Sequence, residues 1–217
     1  AYAQASARPM PETAVALLAP ARLPEPVAAP LLDAPYFVML GTIEPRKNHW
    51  LLLQLWRQLI ERLGEAAPRL VIIGQRGWEC ENVVDLLERC ETLKGFVFEQ
   101  PACSDSELAS WLHHSRALIF PSFAEGYGMP LAEALAMEVP VIASDLPVFR
   151  EIAGEVPEYV DPLDGQRWKE LVVEYAQPQS PMRQRQCQRM AGCEMPTWGA
   201  HFQQVEALME RLRVTKH

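Results

Sequence analysis

At 217 residues and 49% hydrophobic, the chain can bury one large core with a tail, as a folded globular protein does. Its net charge of −8 supplies no overall positive field, which excludes a general nucleic-acid binder. Five cysteines (Cys80, Cys90, Cys103, Cys187 and Cys193) include no C-x-x-C pair; they argue against a disulfide framework or metal cluster and fit a reducing cytoplasm.

No apolar run approaches the roughly 20 residues of a membrane span. The N-terminus also lacks the basic-then-apolar pattern of a signal peptide. The first 35 residues carry Pro9, Pro11, Pro20, Pro24, Pro26, Pro30 and Pro35. Proline fixes φ and removes backbone donors, so 1–35 reads as a linker or strap, with one short strand at 13–18. A chain that opens on a linker suggests that another segment precedes it.

From Tyr36 onward, short apolar runs alternate with amphipathic stretches. Strands are predicted at 36–40, 70–73, 95–98, 117–120, 139–143 and 159–160. Helices are predicted at 48–63, 79–90, 104–114, 130–137 and 148–153. Leu51, Leu52, Leu55, Leu59 and Leu63 give the first helix its stripe. Ser104 and Glu107 form a capping box for the third. Beyond about Gln166 the tail is helical in pieces broken at Pro178, Pro181 and Pro196. The strands are continuous apolar runs, as parallel strands covered on both faces are. The expected fold is α/β: a doubly wound, Rossmann-like parallel sheet over 36–165, with C-terminal helices over 166–217.

In such sheets ligands sit at the carboxyl ends of the strands, so the loops that follow strands carry the chemistry. After the first strand comes GTIEPRKN, 41–48. Gly41 lets a ligand approach the backbone, and Arg46 with Lys47 stands just before a helix. Two cations beside helix amides make an anion site; the plain alternative is a solvated basic pair. After the second strand, Gly74 and Gly77 flank Arg76, which suits phosphate or sugar oxygens or a simple turn. After the fourth strand, Glu125, Gly126, Tyr127, Gly128 and Met129 lead into a helix that has Pro130 in its first turn. Backbone amides in that loop can cradle anionic oxygens. Glu133 lies within the helix, where its neighbours Met129, Pro130, Ala136 and Met137 offer it no donor. A carboxylate there needs a partner, and a vicinal diol supplies two hydroxyls; an exposed helix edge is the alternative.

The ordered set GTIEPRKN, VIIG, CSDSEL, EGYGMPLAE and PVIASD closely resembles the C-terminal, donor-binding domain of retaining GT-B glycosyltransferases of family 4, in its mannosyltransferase-like subgroup. The resemblance runs from about Tyr36 to His217, including the helical tail with Trp198. It implies that Lys47, and Arg46 with it, contact the donor diphosphate. It places Glu125 near the sugar, and Gly126 to Met129 against sugar hydroxyls and phosphate. Glu133 would grip the ribose, with Cys103 and Asp105 near the nucleobase. Gly41, Thr42, Gly74 and Arg76 complete the expected donor site. Thr42 stands where many members have an arginine, and Pro101 where a glycine is usual.

The resemblance further implies hexosyl transfer from a nucleotide diphosphate sugar, GDP-mannose favoured, with no cofactor and no metal. The acceptor would be a glycan or lipid-linked glycan bound through an N-terminal domain absent from these 217 residues. The parent enzyme would be cytoplasmic, with a peripheral membrane contact at the inner face. Competing readings are a nucleotide-binding module that transfers nothing alone, and a related nucleotide-sugar epimerase or phosphorylase. A dinucleotide-dependent redox enzyme is disfavoured because no G-x-G-x-x-G follows the first strand. His49, His113, His114 and His201 are expected at the surface or at helix edges, and Trp50, Trp56 and Trp111 in packing roles. The basic, Gln-rich stretch 182–190 is expected as a solvated helix face.

Overall fold

The structure, a computed structural model, describes residues 11–214; the first ten positions of the expected linker and residues 215–217 of the tail lie outside the described residues. Six strands form one sheet: β1 Tyr36–Leu40, β2 Arg69–Ile73, β3 Val97–Gln100, β4 Leu118–Phe120, β5 Val141–Ser144 and β6 Glu158–Val160. Every pairing is parallel and the order is β3-β2-β1-β4-β5-β6. The chain moves outward from β1 to β3, then returns to start β4 on the other flank of β1. The carboxyl ends of β1 and β4 therefore border the crevice where such sheets bind ligands.

Helices connect the strands: α1 His49–Leu63, α2 Glu81–Arg89, α3 Asp105–His113, α4 Met129–Ala136 and α5 Pro147–Ala153, with α6 Gly165–Ala176 and α7 Pro181–Met190 after the last strand. Alternate strand residues face opposite layers. Phe37, Met39, Leu70, Ile72, Ile119 and Ile142 join one buried cluster with Leu52, Trp56 and Leu59 of α1 and Trp168, Leu171 and Tyr175 of α6. The indole of Trp56, fully buried, donates to Pro68 O at 2.9 Å. That bond removes the penalty of an unpaired buried N–H. The capping box at α3 is present, with Ser104 accepting from Glu107 N.

Residues 21–194 form one compact unit. In it α7 is docked through Gln186 and Met190, while Gln184, Arg185 and Gln188 form the expected solvated face. Gln186 is fully buried and donates to Val141 O at 2.6 Å and Val156 O at 3.1 Å. One helix face turns inward because that amide bonds a carbonyl of β5 and one in the loop before β6. A correction concerns the third strand, which runs two residues later than 95–98. Its outer half is Glu99 and Gln100, polar residues tolerated on a half-buried edge strand.

The second unit, among the described residues, joins 11–20 to the segment from Met195 and contains α8, Trp198–Val214. The strand expected at 13–18 does not form. Two of its carbonyls, on Ala16 and Leu17, accept from His201 Nδ1 at 3.2 Å each instead of joining a ladder. Among the described residues, no helix is long and apolar enough to cross a membrane.

Candidate functional site

The loops after β1 and β4 are laced together at the crevice. A single 3-10 turn, Pro45–Lys47, follows β1 and ends at Asn48, which is left-handed with φ 62°. Its amide donates to Pro121 O at 3.2 Å and Pro162 O at 3.1 Å, joining the loops after β1, β4 and β6. Phe123 N–H donates to Arg46 O at 2.8 Å. This backbone frame fixes where the charged side chains begin.

Glu125 is the centre of those side chains. Its Oε1 accepts from Lys47 Nζ and from Ser122 Oγ, each at 2.7 Å, and its Oε2 accepts from Arg46 Nη1 at 2.8 Å. Arg46 also reaches Ala124 O at 3.2 Å and Glu44 at 2.7 Å. Burial alone would raise the Glu125 pKa. Hydrogen bonds from Lys47 and Ser122, the Lys47 charge and Arg46 outweigh it and hold the carboxyl below its usual range. Lys47 is buried, and its ammonium lies over the Phe120 ring at 5.0 Å. An ammonium has three donors, and Glu125 takes one.

The turn into α4 requires glycine at Gly128, where φ is 109°. A Cβ there would lie 2.6 Å from Phe149 Cε1. Gly126 is exposed, and a Cβ on it would meet nothing within 4 Å. Tyr127 and Met129 are half-buried. On α4, Glu133 is half-buried and accepts from the Ala21 backbone N–H. Burial, then the nearby negative charge of Asp105, raises its pKa above the ordinary value, and the Ala21 bond opposes them. The Cys103 thiol is raised by burial first and then by Glu107 and Asp105. Cys103, Asp105 and Glu133 thus share one acidic neighbourhood, and Arg46, Lys47 and Glu125 form a separate ion-paired cluster.

Other expected residues stand as follows. At Gly41, a Cβ would touch Lys47 Cε at 3.3 Å. Gly74 crosses Gly41 so closely that its Cβ would lie 2.2 Å from Gly41 O, so no side chain fits. Thr42 is exposed. Arg76 is not drawn into the cluster: it binds Glu99 at 2.8 Å and Glu88 at 2.6 Å. Among the described residues, no three of His, Cys, Asp or Glu are grouped to hold a metal ion.

Sequence reasoning missed Ser122, Glu44 and the clamping role of Asn48. The small hydroxyl directly after β4 was the available signal for Ser122. It also misjudged one histidine and one tryptophan, while His113, His114 and His201 are exposed or half-buried on their helices as expected. His49 is 1% exposed, and neither ring nitrogen has a partner. The turn at Asn48 points the first residue of α1 inward. There, burial and then the Lys47 charge push its pKa down to about 4. Trp50, expected to pack, is 47% exposed.

A model of the glycosyl transferases group 1 family matches residues 26–172. The serotype-specific mannosyltransferase WbdA of Escherichia coli is 39% identical over 150 residues, which make up 67% of this chain and 16% of that protein. The O-antigen chain mannosyltransferase B of Escherichia coli is 35% identical over 129 residues, 59% of this chain and 33% of that protein. The chain therefore spans about a sixth to a third of the length of these relatives. Among solved structures, the α,α-trehalose 6-phosphate synthase of Burkholderia multivorans superposes with a TM-score of 0.69. Its identity is 10% over 85% of this chain and 44% of that one, a likeness of fold.

Proposed function

The chain belongs to the glycosyl transferases group 1 family, and from that premise we propose that it is the half of a retaining hexosyltransferase that holds a nucleotide diphosphate sugar. The observation that carries this reading is the cluster of Lys47, Arg46 and Glu125 across the β1/β4 crevice. The hard event in the transfer is the break between the anomeric carbon and the leaving diphosphate oxygen, which puts negative charge on the diphosphate. Lys47, Arg46 and the amides at the start of α4 supply preorganised donors for that charge, and no metal is called for. Glu125, kept ionised by its partners, orients sugar hydroxyls. Glu133 accepts from the ribose hydroxyls, and Cys103 and Asp105 border the base.

We take GDP-mannose as the donor and a glycan or lipid-linked glycan as the acceptor. Two mannosyltransferase relatives, 39% and 35% identical over the matched residues, support the sugar. In this reading the 217 residues hold the donor, and transfer to the acceptor is a property of the whole protein. Thermal unfolding with GDP, UDP and ADP, each free and as the sugar conjugate, tests the proposal. The true ligand at 100 times its Kd stabilises the fold by about 2.7 kcal/mol. Equal, negligible shifts for all three nucleotides would overturn it.

A further inference from the structure

We propose that Trp78 and Phe123 form a stacking subsite for pyranose rings of the acceptor glycan, beside Arg46; the inference rests on the donor-site reading above. Large aromatics of this protein are otherwise often sealed in the core, as Trp56 and Trp168 are. Trp78 is 59% exposed and Phe123 is 45% exposed. They lie on different loops, after β2 and after β4, yet both are tied to the same residue. The Trp78 indole N–H donates to Glu44 Oε2 at 3.1 Å, and the other oxygen of Glu44 holds Arg46 Nη2 at 2.7 Å. Phe123 N–H donates to the backbone oxygen of Arg46 at 2.8 Å.

The indole is held by its own hydrogen bond, and the backbone that carries Phe123 is tied to Arg46. The Glu44 side chain that anchors the indole is only 11% exposed. The loop beneath Trp78 is pressed onto the loop after β1: Gly77 N–H donates to Ile43 O at 3.0 Å. A Cβ on Gly77 would lie 2.7 Å from Thr42 Cγ2. A rigid aromatic left in water is a binding surface prepared in advance, since little side-chain entropy remains to be lost on contact.

The surroundings select the occupant. A pyranose has an apolar C–H face that covers an aromatic ring and a rim of hydroxyls that needs donors and acceptors. The Arg46 guanidinium, 43% exposed and joined to the indole through Glu44, supplies such donors beside the rings. A protein partner would instead call for a contiguous apolar patch of a few hundred Å². The platform also continues the donor cluster without a break: Lys47, Glu125, Arg46, Glu44 and Trp78 form one chain of hydrogen bonds. Two rings on separate loops suit successive sugars of a polymer. The donor hexose already has its contacts at Glu125.

The test titrates an α-linked mannotetraose into the full chain, with and without GDP, and follows the indole N–H resonance of Trp78 by NMR. Trp78→Ala and Phe123→Ala each weaken the oligosaccharide by about tenfold, the size of one aromatic contact, and leave the Kd for GDP within about twofold. Trp78→Phe keeps a ring and recovers most of the affinity. Unchanged oligosaccharide affinity in both alanine variants overturns the subsite. So does an equal loss for GDP, or an effect only on concentration-dependent self-association. Failure of the unaltered chain to bind GDP strikes the donor reading instead, and the nucleotide-free titration still judges the subsite.

Discussion

The ammonium of Lys47 lies 2.7 Å from Oε1 of Glu125, with both side chains more than nine-tenths buried. The two residues are 78 positions apart and stand on opposite sides of the crevice between β1 and β4. With Arg46 and Glu44 they make two positive and two negative charges in contact. The cluster is therefore neutral in itself, and its cations are fixed in position before any anion arrives. Such preorganisation is what lets charged groups stabilise a leaving diphosphate without reorganising.

Removing one partner of this pair exposes its cost. Lys47→Met leaves a buried carboxylate with less compensation, and destabilises the fold by about 3 kcal/mol. The double variant Lys47→Met with Glu125→Gln recovers much of that stability and still fails to bind nucleotide. Urea unfolding together with calorimetric titration of GDP measures both. The pH dependence has a definite sign. Glu125 has a depressed pKa in the folded state, so its contribution is full above the unfolded value and is lost as pH falls through the folded one. Glu125→Gln removes that part of the acid sensitivity.

His49 acts at a higher pH. Its folded pKa of about 4 lies below the ordinary 6.5, so between the two the unfolded chain binds more protons. Stability is complete above about 6.5 and declines as pH falls toward 4, by about 3 kcal/mol in all. His49→Leu flattens this decline. It costs no more than about 1 kcal/mol at pH 7, because two unpartnered buried nitrogens leave with the ring. Urea midpoints of both proteins between pH 4 and pH 7.5 decide the matter; parallel curves would count against it.

These two residues also mark what the amino-acid sequence makes legible. The sheet could be read because its inner strands are unbroken apolar runs; the edge strand β3 slipped because Glu99 and Gln100 carry no apolar signal. Arg46, Lys47 and Glu125 were legible as candidates because they stand in the loops after β1 and β4, and Glu133 because its helical neighbours offer it no donor. Which of them pair was not, because that depends on β1 and β4 becoming neighbours. His49 looked like an ordinary helix-edge residue, and only the left-handed turn at Asn48 carries it inside. Trp78 reads as one more tryptophan until its bond to Glu44 is seen.

Two glycines in one loop separate folding from binding. Gly128→Ala is strained at φ 109° and drives its Cβ into Phe149. Phe149 stacks on Phe120 at 5.0 Å, and Phe120 lies under Lys47. The strain, about 1–3 kcal/mol, therefore reaches the cluster and lowers both stability and nucleotide affinity. Gly126→Ala meets open space and leaves the unfolding midpoint unchanged. If the donor approaches the backbone there, nucleotide affinity falls by about tenfold, as for a lost good contact. A Gly126→Ala protein that binds GDP normally would place the donor elsewhere.

The ribose assignment has its own pH signature. Burial and the charge of Asp105 raise the Glu133 pKa, while the Ala21 N–H holds it down. An ionised carboxylate can accept from both ribose hydroxyls; a protonated one loses an acceptor. Nucleotide affinity therefore weakens on acidification at a higher pH than an ordinary carboxylate would give. Fold stability responds to this group in the opposite sense to Glu125: a raised acid pKa favours the protonated form in the fold, so the Glu133 contribution rises as pH falls through it. Glu133→Gln binds GDP about tenfold or more weakly at pH 7, the size of a charged hydrogen bond, and shows no such pH step. Ala21→Pro removes the backbone donor and moves the step to still higher pH. Calorimetric titrations of GDP from pH 4.5 to pH 8 on the three proteins read all of this. An unmoved step in Ala21→Pro rules out that contact in solution, and a full step in Glu133→Gln assigns the titration to another group.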